Sequence, residues 1–345
     1  MIAKIYLKEI RENAKRFRAL GGGKLCAVVK ANAYGHGAEE VAFALSGVAD
    51  FFAVALLEEA LSLRVAACGT DILILTPPQT QADVLCAAQN GFVLTVPDYR
   101  TASLIAIVGR KYQIPVRVHL KTNTGMNRYG MNASLLGKVC TLLVRENYVR
   151  VEGVFSHLYS GEHRICERQR NLFLSHIAVC KRYFPDVLCH LSATHGATLG
   201  KDFAFDMLRV GLGLYGYLPN GAGAIPFSLG KGMEVFAETV MNRKYSFGGA
   251  GYGESERIEK GETLSVLRYG YADGFLRTKR NGLCGSETHA NNLCMDACVR
   301  KGKTPVGKLV PVMINAEETA RETGTIAYEV LCAATRRAEC LYVYE

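Results

Sequence analysis

Between residues 25 and 210 the chain repeats one pattern eight times: a short apolar run, followed in most intervals by a stretch with helical periodicity. The runs are Leu25–Val29, Phe51–Ala55, Asp71–Thr76, Phe92–Val96, Val116–Leu120, Val151–Phe155, Val187–Leu191 and Met207–Val210. A continuous apolar run such as Leu25–Val29, bounded by a loop rich in small residues, reads as a strand buried on both faces, as in a parallel sheet, and the others are apolar strand candidates. Helical patterns fall between them at Leu57–Ala67, Gln79–Ala88, Tyr99–Lys111, Ala133–Arg145 and Glu162–Tyr183, and another begins in Gly37–Leu45. Eight strands with helical crossovers over about 190 residues predict a closed (β/α)8 barrel of the TIM-like kind, an α/β fold. A doubly wound sheet is the alternative, but no GxGxxG follows the first run.

The period changes after Pro219–Pro226, PNGAGAIP, which reads as a linker. Beyond it Val235–Tyr245, Thr263–Tyr269, Lys308–Ile314 and Ala338–Tyr344 are strand-like, with helical patterns only at Ala316–Glu322 and Ala327–Ala334. We expect a barrel over residues 1–225 and a mainly β domain over 226–345. Leu7, Ile10, Ala14 and Phe17 place an amphipathic helix over 7–20, and the segment 1–20 is a candidate to pack on the second domain. A chain of 345 residues buries enough surface to need no disulfide or metal staple. No apolar run approaches about 18 residues and the N-terminus lacks the apolar core of a signal peptide, so a cytoplasmic location is expected.

Twelve cysteines raise metal and disulfide readings. No CxxC pair exists, and Cys26, Cys86, Cys140 and Cys180 sit inside apolar patterns, so structural thiols and no metal are expected. The net charge of +9 is localised: residues 1–24 carry seven basic and two acidic side chains, and residues 268–303 carry seven and three. Neither stretch has interleaved aromatics, which argues against nucleic acid and for solvated faces with some attraction for anions.

Chemistry-bearing residues gather where the strands end, the face on which barrels place their active sites. Lys30 follows the first run, Lys121 the fifth, His157 the sixth and Thr194 the seventh, while Arg209 lies on the eighth. A lysine at a buried strand end is partly desolvated, which lowers its pKa and makes its amine available for a Schiff base. A snorkelling lysine is the ordinary alternative. The eighth run leads into RVGLGLYG, whose glycines allow close backbone approach; Thr194 with the amides of Gly211 and Leu212 fits a phosphate site between the last two strand loops.

The motif VVKANAYGHG around Lys30 closely resembles the pyridoxal-phosphate lysine motif of the alanine racemase family, and the resemblance recurs along almost the whole chain. It implies a homodimeric isomerase that interconverts L- and D-alanine by two-base (Lys/Tyr) proton transfer on a pyridoxal phosphate external aldimine, supplying D-alanine for peptidoglycan precursors. Lys30 matches the cofactor-binding lysine, and Tyr34 matches a tyrosine on the phosphate. KTNTGMNRYG is similar to K-x-D-T-G-M-x-R-x-G, so Arg128 resembles the arginine near the phenolic oxygen and substrate carboxylate. Lys121 falls where a lysine is often carbamylated to hold that arginine, and Asn123 replaces the usual Asp. Arg209, in FDMLRVGLGLYG, resembles the donor to the pyridine nitrogen, with His157 linking it to the second base.

That base matches Tyr252, in AGYGES, 222 residues from Lys30; the family implies that it reaches the lysine of the other subunit. Bringing a phenol from about 10 to neutrality takes about 4 kcal/mol of phenolate stabilisation. Tyr271, in RYGYADGF, resembles a residue at the substrate entrance, and Met295 and Asp296, in NNLCMDAC, resemble partner-subunit residues lining the pocket. HLSAT keeps only the hydroxyl of the family's usual Asn–Ser pair. Arg336 stands where many members place a tyrosine over the phosphate, and the interval from Arg280 to Cys294 is shortened. These departures leave open a serine-preferring or broad-specificity racemase. A fold-related decarboxylase is opposed by Arg209, and a non-enzymatic cofactor-binding protein by Tyr252 and the second domain.

Overall fold

A computed structural model describes residues 1–252, 258–277 and 293–344. The chain forms two compact units: residues 10–31 with 38–230, and residues 1–9, 32–37 and 231–345. The first strand, β1 (Ile2–Tyr6), belongs to the second of these; the next eight build the first.

Those eight are β2 (Lys24–Val28), β3 (Phe51–Val54), β4 (Asp71–Ile74), β5 (Val93–Val96), β6 (Val116–Lys121), β7 (Val149–Phe155), β8 (Leu188–His190) and β9 (Met207–Val210). All pair in parallel, in the order β8-β7-β6-β5-β4-β3-β2-β9. Each of the eight apolar runs has become a strand. Two backbone bonds beyond the ladder draw the ends of the sheet together: Asp206 N to Cys189 O at 3.0 Å and Arg209 N to Ser192 O at 2.9 Å. The doubly wound alternative is thereby set aside.

Alternation along β6 sorts three polar side chains by height on one face: Arg117, His119 and Lys121. At the N-terminal end Arg117 is shared between Asp71 at 2.9 Å and Glu152 at 2.8 Å, so its charge is fully met there by carboxylates. Above it His119 stands opposite Thr95 and Gly153, and Lys121 opposite Phe155. Gly153 is required: a Cβ would lie 2.6 Å from the His119 ring. The outer helices start on capping side chains, Asp98 accepting from Thr101 N and Asn132 from Leu135 N. Among the described residues, no helix is long and apolar enough to cross a membrane.

In the second unit β1 joins β10 (Met233–Lys244), β11 (Thr263–Leu267), β12 (Cys298–Lys301), β13 (Leu309–Met313) and β14 (Glu339–Val343). The order is β12-β11-β10-β1-β14, with β13 also on β10. β1 runs antiparallel to β10 and parallel to β14. Helices Ala316–Thr323 and Ala327–Ala334 complete it. β1 and β12 have no counterpart among the strand-like runs of the sequence. β1 buries only Ala3 and Ile5 and runs straight into a helix, and β12 is four residues, two of them basic.

Candidate active site

Lys30 opens a single helical turn, Lys30–Tyr34, directly after the last residues of the first strand run. The turn is left-handed: φ is 52° at Ala31 and Asn32, 53° at Ala33 and 54° at Tyr34. For L-residues that hand costs about 1–2 kcal/mol per residue, so neighbouring groups must hold it. Ala31 N donates to Glu59 Oε1 at 2.7 Å, and Gly37 N to Asn32 O at 3.1 Å. His36 Nδ1 lies 2.9 Å from Ala33 O and 3.1 Å from Tyr34 O, and since carbonyls only accept, Nδ1 carries the proton. Within the second unit the Thr335 hydroxyl donates to Gly35 O at 2.9 Å, and the Tyr34 and Tyr328 rings meet at 5.8 Å.

Burial pushes the His36 imidazole down to about 4. Its folded pKa lies below the unfolded value, so the unfolded chain takes the proton first. Stability is full above about pH 6.5 and is lost as pH falls toward the folded pKa. His36→Asn keeps an N–H near the two carbonyls without the titration. In urea unfolding it should abolish about 3 kcal/mol of the stability lost between about pH 6.5 and 4. An undiminished acid slope in that variant would assign the loss elsewhere.

Arg209, on β9, is buried at the centre of the barrel's polar interior. Nη2 donates to Ser156 O at 2.7 Å and Leu191 O at 2.9 Å and faces His157 Nδ1 at 3.3 Å; Nη1 meets His190 Nδ1 at 2.9 Å. None of these is a carboxylate. Four acceptors for five N–H groups leave at least one N–H for a ligand. Burial pushes the guanidinium down to about 10, which still leaves it charged at neutral pH.

His157 registers the rest of the cluster. Burial first, then the charges of Arg209, Lys121, Arg128 and Lys30 in that order, hold its imidazole well below the ordinary range. Four of the sequence-singled cations therefore surround one neutral ring, and no anion is among the influences on it. Lys121 is buried, donates to Thr122 O at 3.2 Å and lies 4.9 Å over the Phe155 ring. Burial, with Arg209 and Arg128 adding to it, drives its ammonium pKa well below the usual lysine range.

The segment carrying Arg128 is closed by a clasp of two amides. Asn123 Oδ1 accepts from Gly125 N at 2.9 Å and Asn127 N at 3.1 Å, and its Nδ2 donates to Asn127 Oδ1 at 2.8 Å. An aspartate can make the first two bonds but not the third. The departure from the family's Asp is thus matched by Asn127, which sits at φ 56°.

Thr194 is buried after β8, and its hydroxyl accepts from Gly213 N at 3.1 Å. Gly211 leads into the short 3-10 turn Leu212–Tyr215, whose first N–H groups have no intrahelical acceptor. A Cβ at Gly213 would stand 2.5 Å from Phe17, so this loop admits no side chain there.

The remaining singled-out residues lie in the second unit. Tyr252 is 70% exposed. Tyr271 N donates to Cys294 O and Ala272 N to Met295 O, both at 3.0 Å, which knits the Tyr271 and Met295 loops. Asp296 Oδ1 accepts from Arg337 at 2.9 Å, and Arg337 also donates to Asp273. Arg336 lines a cavity of about 200 Å³ with Tyr271, Thr319, Thr323 and Glu329. Arg280 lies outside the described residues.

The set fits pyridoxal phosphate: an amine at a strand end, a buried cationic donor for a ring nitrogen, and a hydroxyl with turn amides for a phosphate. His190, His119, Phe155, Ser156 and the Asn123–Asn127 clasp escaped the sequence reading. The polar residues at every second position of β6 were the available signal for His119.

The alanine racemase N-terminal domain family matches residues 5–219 and its C-terminal domain family residues 233–342. An alanine racemase of Desulfovibrio desulfuricans is 31% identical over 364 residues, covering 99% of this chain and 97% of that one. One from Staphylococcus epidermidis is 30% identical over 99% of this chain and 94% of its own. Among solved structures, an alanine racemase of Clostridium difficile 630 superposes with a TM-score of 0.92 at 27% identity, covering 99% and 95% of the two chains. That of Bartonella henselae, with covalently bound pyridoxal phosphate, gives 0.88 at 27% over 99% of each. Sequence along the full length and the shape of both units agree: the chain belongs to the alanine racemase family.

Proposed function

We propose that this chain interconverts L- and D-alanine in a pyridoxal-phosphate-dependent homodimer, with Lys30 and Tyr252 as its two proton carriers. The observation that carries the reading is Arg209: a buried guanidinium with an N–H to spare and, among the described residues, no carboxylate among its hydrogen-bond partners. Pyridoxal phosphate bound there supplies an electron-accepting ring conjugated to the substrate Cα, which makes the Cα hydrogen acidic. Arg209 donates to the ring nitrogen and does not surrender its proton, so that nitrogen stays unprotonated. The electron demand at Cα is then mild, which favours return of the proton over side reactions.

The Lys30 amine takes the proton from one face of Cα, and the Tyr252 hydroxyl returns one to the other. The opposite direction exchanges the roles. Tyr252 is exposed in the single chain, a fitting place for a side chain that serves the Lys30 of a second copy. Thr194, Tyr34 and the Gly211 and Leu212 amides take the phosphate, with Arg336 as a further cation for it. His157 accepts from Arg209 through Nδ1 and so keeps its proton on Nε2, where it can donate toward the phenolate. Arg128, Tyr271, Met295 and Asp296 line the substrate's place, with Arg128 toward its carboxylate.

Burial, which disfavours the Lys121 ammonium, makes its amine available to add carbon dioxide at Nζ, forming one N–C bond and releasing one proton. The carbamate formed is an anion beside Arg128 and Arg209. Labelled bicarbonate should give a carbamate carbon resonance that Lys121→Met lacks; an identical spectrum in both proteins overturns that assignment.

Exchange of the Cα hydrogen for solvent deuterium, with alanine, serine and lysine in turn, with and without added pyridoxal phosphate, tests the function. Cofactor-dependent exchange with inversion, fastest on alanine, is the expected result. Fastest exchange on serine favours the serine-preferring alternative. Release of carbon dioxide without exchange, or no exchange on any substrate, overturns the racemase.

A further inference from the structure

The polar interior of the barrel does not end at Arg209. His190 Nδ1 faces Arg209 Nη1 at 2.9 Å, and His190 Nε2 meets His119 Nδ1 at 3.0 Å. A guanidinium only donates, so His190 Nδ1 accepts and carries no proton. A neutral His190 then holds its proton on Nε2 and donates it to His119 Nδ1. His119 in turn holds its proton on Nε2, an atom buried without a partner among the described residues. The bonds run in one sense, from the cation inward.

Both rings are fixed in place. Phe155 stacks on His190 with centroids 4.8 Å apart and planes 5° from parallel, and Phe51 lies 5.9 Å from His119. Gly153, opposite it on β7, leaves the room the His119 ring occupies, since a Cβ there would lie 2.6 Å from it. Both rings are neutral for the same reasons. Burial leads at both; at His119 Arg117 and then Arg209 add to it, against Asp71, and at His190 Arg209 adds to it, then His119 and Lys121. His119 is pushed down to about 3.

We infer that His190 and His119 are positioning residues for Arg209: two neutral, Nε2-protonated imidazoles in series that fix how its guanidinium presents the remaining N–H groups. A carboxylate in place of His190 would orient the fork equally well but cancel its charge. A neutral acceptor orients the fork and leaves its positive field intact. The consequence for turnover rests on the function proposed above; the tautomers do not.

Proton–nitrogen correlations of the imidazoles, recorded on isotopically labelled, cofactor-free, full-length protein, read those tautomers directly. Both histidines should show the Nε2-protonated pattern, unchanged from about pH 5.5 to about 8.5. An Nδ1-protonated pattern or a titration at either one overturns the proposal. His119→Asn returns an acceptor near the lost Nδ1, and His119→Phe does not. In alanine racemisation the Phe variant should lose about tenfold in kcat with KM within about twofold, and the Asn variant should recover to within about threefold. The visible spectrum of the pyridoxal-phosphate-loaded protein should change its pH dependence in the Phe variant alone. Equal losses in both variants with unchanged spectra assign the pair to packing and overturn its positioning role. Because the tautomers are read without cofactor or substrate, they decide the pair even if the wild type fails to racemise alanine, a result that would overturn only the function above.

Discussion

Mixing a Lys30→Ala protein with a Tyr252→Phe protein should restore racemase activity that neither shows alone. Each single variant lacks one of the two proton carriers and should lose at least about a thousandfold in kcat. If every site takes its lysine from one protomer and its tyrosine from the partner, a mixed dimer has one doubly impaired site and one intact site. Random re-pairing makes about half the dimers mixed, so about a quarter of wild-type activity should return. The measurement is alanine racemisation after the subunits are dissociated and re-associated, with mixed dimers counted by two distinguishable tags. Mixed dimers that form and stay inactive would place both groups on one chain and remove the shared site from our reading.

Arg209 carries the second large effect. Arg209→Met leaves two carbonyls and two imidazole nitrogens without their donor in a buried place. That should cost about 3–5 kcal/mol of stability in chemical denaturation. Arg209→Lys keeps the charge but loses the planar fork. Its stability should fall by about 1–2 kcal/mol, while kcat drops about a hundredfold through misdirected donation. A lysine variant with wild-type kcat would show that charge alone suffices and would remove orientation from Arg209's role. Comparing the two substitutions separates holding the barrel together from aiming at a ligand.

The barrel was legible because most residues of its strands are buried, which writes apolar runs such as Leu25–Val29 into the sequence. β1 was not, since three of its five residues are partly exposed and its neighbours in the sheet lie more than two hundred positions away. The same limit governs the site. Lys30, Lys121, His157 and Arg209 stand out as polar residues at strand ends, and the structure gathers them around His157. His119 and His190 lie lower, within strands, where a lone histidine in an apolar run reads as a satisfied core residue. Only their cross-barrel contact, between positions 71 apart, gives them a part to play. Asn123 was visible as a departure from a motif, but its reason, the reciprocal amide of Asn127, needed the bend of the backbone.

The place of Ile2–Tyr6 has a consequence for biosynthesis. This strand is made before the barrel segment, yet its two flanking strands, Met233–Lys244 and Glu339–Val343, are made after it. On the ribosome the barrel can therefore complete its ladder while the earliest strand still waits unpaired. The second sheet closes only once the late segments emerge, so the order of synthesis hands the cell a finished barrel tethered to an unfinished companion.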